Sequence, residues 1–456
     1  MDRIGPATLR VAQRAAALAA LAFAVVGLSA TNAAAVPAFA AQTGLPCQNC
    51  HVGGFGPQLT PFGREFKLQG YTLRTNDKSI PLSIMEVASY LHTAQAQTPP
   101  PPGFNSNDNF NLDQLSLFFA GGFGEHLGAF VQGTYDGIAQ VWHWDNLDLR
   151  ATTTVKIHTA DVTLGASLNN APTVQDAWNT LPAWGYPYTT STLASTPATS
   201  PLLNGALAQT SLGLTGYAWI NSEVYLEGGG YWSPSANALS SLGVDPTNPG
   251  SIKGVAPYGR VAFQHDIGKT GTLEVGAFGL HSDIYPGLDR TTGFTDGYTD
   301  LGLDASYVDT MSNTDVLTIN GRLLHERQSL AATCALSGGD ATCVNNTLND
   351  VHVDASYYWR DKIGFTVGAF DTTGSANPIL YAGNRTLRPD STGVLLQLDA
   401  TPWGNGKSPL GKRFNTRIGM QYTAYTRFNG ARDNWDGAGS NAADNNAFRL
   451  FIWSAY

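Results

Sequence analysis

Charge is scarce in this chain. Only 13% of its 456 residues are Asp, Glu, Lys or Arg, and 26 basic side chains face 35 acidic ones, a formal net charge of −9. No basic patch for nucleic acid is present, and an acidic surface would favour small cations. Long apolar runs are also missing. From Pro81 onward no stretch is uniformly apolar over the ~20 residues that a membrane helix needs. Good helix formers are few, whereas Gly (50), Pro (24), Tyr (18), Phe (20) and Trp (10) are plentiful. That balance favours strands and turns.

Only four cysteines occur, in two pairs. Cys334 and Cys343 lie in a Gly/Ser/Asn-rich segment without histidine. In an oxidising compartment that pair reads as a disulfide closing a loop, and a second metal site is a poor alternative. Cys47 and Cys50 belong to Leu45-Pro46-Cys47-Gln48-Asn49-Cys50-His51. C-x-x-C-H is the attachment pattern of one covalently bound haem c. Each thiol can bond one vinyl group, and the next residue presents an imidazole to the iron. Cys47 and Cys50 are thus the expected anchors, and His51 the expected proximal ligand to the haem iron. The rival readings are a thioredoxin-like redox pair or a chance CxxC, and no βαβ pattern surrounds the motif.

The N-terminus reads as an export signal. Arg3, Arg10 and Arg14 precede an apolar run, Ala15 to Leu28, that is too short to span a membrane. Cleavage is expected after Ala35 or after Ala40. Removal of residues 1–40 takes three basic residues and one acid, leaving 23 and 34, a net of −11. Residues 36–79 then form a haem-bearing segment. A short helix around Thr60–Leu68 would set Leu59, Phe62, Phe66 and Tyr71 against one haem face. The segment is too short to enclose a haem alone, so the rest of the chain must supply the remaining walls.

Residues 80–456 show stretches of about ten residues that alternate apolar and polar, separated by turns that are alternately brief and long. This is the pattern of a transmembrane outer-membrane β-barrel. The fold class is all-β, with sixteen strands expected from Ser83–Thr93 to Asn446–Tyr456. Brief connections such as 123–126, 221–223, 266–271, 311–315 and 361–364 would lie on the periplasmic side. Long ones, among them 171–209 and the Cys334–Cys343 loop, would lie outside. The connection 403–414 is long for a turn. Loop 171–209 is long enough to fold in and constrict the lumen. Phe448, Leu450, Ile452 and Tyr456 alternate along the last strand, whose pairing with the first would remove a free edge. Aromatics at strand ends read as interface girdles: Tyr135, Trp142, Trp144, Trp219, Tyr231, Trp232, Trp359, Trp403, Tyr425 and Trp453.

A second iron ligand is not obvious. Met85, Met311 and Met420 are available. On the first strand Glu86, Ala88, Tyr90 and His92 share one face, with Met85, Val87 and Leu91 on the other. With the polar face turned inward, His92 is a better distal ligand than Met85, or else a solvated rim residue. His92 would sit roughly 20 Å above the strand's start, placing the haem nearer the outside. His143 is a second candidate. The remaining histidines read as ordinary surface or strand residues. Asp283, Asp289, Asp296 and Asp340 lie in long loops and carry no dedicated iron-binding motif.

One stretch bears a family likeness. Gln42-Thr43-Gly44, Cys47, Cys50, His51, then Pro57, Leu59-Thr60, Phe62-Gly63-Arg64, Phe66-Lys67 and Gly70-Tyr71-Thr72 resemble the fused outer-membrane monohaem cytochrome–porins of iron-oxidising bacteria. The likeness covers about 30 residues, and Gly53-Gly54-Phe55 departs from the usual spacing. It implies one haem c carried inside the barrel towards the outer face and an iron:cytochrome-type oxidoreductase activity. It also implies extracellular Fe(II) or a similar reductant as donor, and a periplasmic carrier (a cytochrome c or cupredoxin) as acceptor. Ferric product would then stay outside. The alternative is a porin for small solutes, its haem a structural plug or redox sensor; a haem-sensing surface receptor is a third reading. Outer-membrane lipid is the expected surroundings, and an oligomer is compatible with either.

Overall fold

A computed structural model describes residues 37–75, 81–181, 183, 186–311, 314–339, 341–411 and 413–456. The expected signal peptide, residues 1–35, and Asp340 lie outside the described residues. The second expected cleavage point, Ala40, falls within a helix, α1 (Pro37–Thr43).

Sixteen long antiparallel strands form the wall. They are β1 (Leu82–Thr93), β2 (Asn109–Phe123), β3 (Leu127–Asp136), β4 (Val141–Ile157), β5 (Ala160–Asn169), β6 (Leu212–Ile220), β7 (Val224–Trp232) and β8 (Ala256–Ile267). The other eight are β9 (Gly271–Tyr285), β10 (Asp296–Met311), β11 (Asp315–Leu330), β12 (Asn345–Trp359), β13 (Ile363–Gly374), β14 (Ser391–Ala400), β15 (Asn415–Arg427) and β16 (Ala447–Ala455). A two-residue stretch, Ser251–Ile252, pairs with the end of β9. Every long strand pairs with its neighbours in the chain, and β1 pairs with β16 from Met85↔Ala455 to Thr93↔Ala447. The sheet therefore has no free edge. In hydrocarbon an unpaired edge would strand a row of peptide groups at several kcal/mol each, so closure is what permits a sheet to span a bilayer.

The two faces of the wall differ in chemistry because side chains alternate along each strand. Leu301 and Leu303 on β10, Val351 and Val353 on β12, Leu396 and Leu398 on β14, and Leu450 and Ile452 on β16 are exposed on the outside. Charged and amide side chains point inward: Arg260 and Gln264 on β8, Glu274 on β9, Asp300 and Asp304 on β10, and Asp350 and Asp354 on β12 are buried. An apolar outer belt around a polar interior is the arrangement of a barrel in lipid.

The lumen is filled. Residues 37–75 sit inside the end bearing the short turns. Loop 170–211 folds in across the middle, as its length allowed. Asp176 of that loop lies 3.9 Å from Arg260, which also meets Glu274 at 3.0 Å and Asp304 at 2.6 Å. Trp178 donates to Gln264 at 3.0 Å, and the Leu202 and Leu203 amides donate to Glu326 and Asp300 at 2.6 and 2.7 Å. Across the lumen Gln421 and Arg449 donate to the Thr189 carbonyl at 3.0 and 3.1 Å. Outside this septum Cys334 and Cys343 are disulfide-bonded in the β11–β12 loop.

Several aromatics differ from expectation. Trp142 and Trp359 are exposed, but Trp219, Tyr231, Tyr425 and Trp453 point inward and are buried. The reason is the filled lumen, whose contents offer aromatic rings an apolar surface that an open water-filled channel lacks.

The outer belt gives a direct test. Leu303→Arg sets a cation on the lipid face in the middle of β10. It should lower stability in lipid by about 2–4 kcal/mol, measured by urea unfolding in vesicles, against roughly nothing for a charge added at a loop tip.

Candidate functional site in the barrel mouth

Local backbone geometry gathers the CxxCH side chains. Cys47–Asn49 is a single tight turn, closed by the Cys50 and His51 amides donating to the Cys47 carbonyl at 3.1 and 2.9 Å. The next piece of chain turns back, so that His51 pairs with Leu59 and the Thr60 amide donates to the Cys50 carbonyl at 3.0 Å. Helix α2 (Pro61–Leu68) starts there. Its N-cap is Thr60, whose hydroxyl accepts from Gly63 at 3.1 Å and donates to the Asn49 carbonyl at 2.6 Å. Proline at the first helical position is pre-set for a helix start. Gly63 lets the helix lie on the motif, since a Cβ there would stand 2.2 Å from the Cys50 carbonyl oxygen.

Barrel residues fix this unit from every side. Arg64 is fully buried and donates to Gln264 at 3.1 Å and Ser306 at 2.9 Å. Lys67 donates to the Val174 and Asp176 carbonyls of the inserted loop at 2.6 and 2.9 Å. Tyr71 donates to Asp148 at 2.6 Å, and Trp219 to Glu65 at 2.7 Å. Asn415 donates to the Gly54 carbonyl at 2.7 Å and Arg417 to that of Gly53 at 3.2 Å. Gly53 and Gly54 both have φ of +66°, and a Cβ on Gly53 would meet the Tyr358 ring at 2.3 Å. The departure in spacing after His51 is thus where the loop presses on the wall. The long connection 401–414 reaches in as a strap, its Gly404 carbonyl accepting from Gln48 at 3.1 Å.

Two cavity lobes, of about 120 and 100 Å³, meet at the motif. Both are lined by Phe39, Cys50, His51, Pro57 and Phe130. The first adds Cys47, Phe55, Met85, Phe118 and Trp453; the second adds Leu59, Phe66, Lys67, Tyr71, Val174 and Asn179. Both are mostly apolar with a few placed polar groups, which is the make-up of ligand sites. Leu59, Phe66 and Tyr71 line the second lobe as expected, while Phe62 points away and is exposed. Phe39, Phe118, Phe130 and Trp453 were missed because their strands, or the stretch before the motif, read as scaffold. Alternation along β2, β3 and β16 was the available signal.

The chemistry of the three motif residues narrows what they can do. Both thiols are free. Burial pushes the Cys47 thiol up, and it pushes Cys50 up to about 12, with the neighbouring Cys47 adding to the effect. A redox-exchange cysteine needs the opposite shift, towards thiolate. Burial lowers His51 to about 4, helped by the Arg417 charge and opposed by the Gln58 carbonyl. His51 is therefore a neutral imidazole at pH 7, the form that binds metals. Its Nδ1 is buried without a hydrogen-bond partner. Two thiols and a neutral imidazole on the wall of an apolar cavity fit a covalently held haem c.

His92 does not belong to this site. It lies at the far end of β1, points outward with its side chain half exposed, and contacts Asp108 at 2.8 Å. Met85, Val87 and Leu91 face inward instead. Reading the polar face as inward failed because the lumen beside β1 holds an apolar cavity, not water. The motif sits at the short-turn mouth and not nearer the long loops, because the segment enters β1 at that end. His143 contacts the Trp144 carbonyl at 3.0 Å and lines neither lobe. Among the described residues no group of three or more His, Cys, Asp or Glu is placed to hold a metal ion.

No family model and no curated protein matches the chain. Among solved structures it is similar to an anion-selective porin from Comamonas acidovorans, at 13% identity and a TM-score of 0.46, over 82% of this chain and 98% of that one. It is also similar to the outer membrane channel DcaP of Acinetobacter baumannii, at 11% and 0.45, over 82% and 96%. OmpF of Salmonella typhi gives 11% and 0.44, over 82% and 97%.

Gly63→Ala tests the docking of α2 on the motif. Alanine favours the helix by about 1 kcal/mol. A Cβ pressed on the Cys50 carbonyl costs about 1–3 kcal/mol, so the close approach should win. Hydrogen exchange of the α2 amides should rise while that of the strands stays unchanged.

Proposed function

We propose that this chain is an outer-membrane c-type cytochrome built into a porin-like barrel. It would take electrons from extracellular Fe(II) or a similar reductant and pass them to a periplasmic carrier. One observation carries the reading: the free thiols of Cys47 and Cys50 and the imidazole of His51, whose Nδ1 has no hydrogen-bond partner, share the wall of one apolar cavity. Cys47 and Cys50 would hold a single haem c by thioethers, and His51 would be its axial nitrogen ligand. When bound, the haem supplies reversible one-electron chemistry.

The chain's own residues do the remaining work. Phe39 and Phe130 line both lobes and exclude water between them; Phe118 and Trp453 do so in the first lobe. Dry surroundings disfavour the charged oxidised form and so tune the potential. Arg64, Lys67 and Tyr71 lock the segment to the wall, so the motif cannot drift when charge changes. The position of the motif at the short-turn rim, beside the connection 401–414, supports a carrier approaching from that side.

The second reading is a porin for small solutes, with haem as a plug or redox sensor. The wall favours it, because sixteen strands are enough to enclose an aqueous channel. The filling of that channel by residues 37–75 and the inserted loop opposes it. Such barrels reside in bacterial outer membranes after export, which fits the leader-like N-terminus.

The experiment uses purified, detergent-solubilised protein. Its visible spectrum should show covalent haem that survives denaturation, and anaerobic Fe(II) should reduce it. His51→Ala should lose rapid reduction. Absence of covalent haem would sink the cytochrome reading. Covalent haem inert to Fe(II), together with steady single-channel conductance in planar bilayers, would favour the porin.

A further inference from the structure

We propose that Met85 would supply a second iron ligand through its thioether sulfur, beside the nitrogen of His51. This rests on the haem reading above. The argument is one of donors. Around the two lobes, the side chains able to coordinate iron besides the motif itself are Met85, Lys67 and Tyr71. Lys67 already donates to two carbonyls and Tyr71 to Asp148. Met85 has no competing bond. It is 6% exposed, points inward, and lines the lobe that holds both Cys47 and Cys50 together with His51.

Its position is fixed by the wall. Met85 pairs with Ser116 of β2 on one side and Ala455 of β16 on the other, at the seam where the barrel closes. It packs in one cluster with Phe55, Val87, Phe118 and Trp453. A ligand on a rigid strand is held more firmly than one on a loop, and a soft sulfur suits haem iron. The other described methionines are elsewhere. Met420 faces outward, and Met311 ends β10 away from either lobe. The motif thus provides one ligand and the barrel the other, so six-coordination depends on the segment being docked. A His/Met pair also raises the haem potential, which suits a site receiving electrons from a weak reductant.

The test is spectroscopic and uses the full-length, haem-loaded protein. Met85→Leu keeps the volume and the apolar character of the side chain. The wild type should show the far-red charge-transfer band of methionine-ligated ferric haem, and Met85→Leu should lose it. The variant should also bind carbon monoxide readily when reduced. Met85→His should restore a six-coordinate spectrum at a lower potential, and Met420→Leu should match wild type. Covalent haem with an unchanged spectrum in Met85→Leu would overturn this assignment and leave the cytochrome reading standing. Lack of covalent haem in the wild type would overturn both.

Discussion

The CxxCH motif lies against an apolar cavity, and residues 37–75 are too few to wall that cavity alone. The remaining wall comes from docking the segment against the barrel, and that docking organises the rest of the lumen. Arg64, Lys67 and Tyr71 would be costly as buried polar groups without partners. Gln264, Ser306, Asp148 and the inserted loop satisfy them. Apolar walls then follow on the side of the barrel nearest the motif, where Met85, Phe118 and Trp453 turn inward in place of the polar side chains of a water channel.

Much of the wall was legible because side chains alternate with a period of two whatever lies beyond them. All sixteen strands fall within a few residues of their expected places; β4 is the most extended, running on to Ile157. The CxxCH motif was legible because its chemistry is local. What alternation cannot say is which face looks inward, and the usual rule reads the polar face as the wet one. That rule holds on β10, where Asp300 and Asp304 point in. It fails on β1, because the occupant of the lumen there is apolar. His92 was misassigned for that reason, and Trp453 was placed at the membrane surface for the same one. The cavity walls Phe39 and Asn179 were harder still, since they come from an upstream helix and a long loop whose paths depend on the assembled barrel.

The connection 401–414 illustrates how an exception to a pattern can carry meaning. Turns at that end are otherwise brief, yet this one is long and lies against the motif, with Gly404 packed on Gly54. Its length is that of a strap reaching from the rim to the segment inside.

The septum made by loop 170–211 is fastened to the wall at several points. A solute crossing it must pull apart loop–wall contacts such as Asp176 with Arg260, or the Leu202 amide with Glu326. Stranding one partner of a buried pair costs about 3–5 kcal/mol, so each such step is a steep barrier. The loop thus closes the lumen by many small fastenings to the wall, each of which must open before the next can.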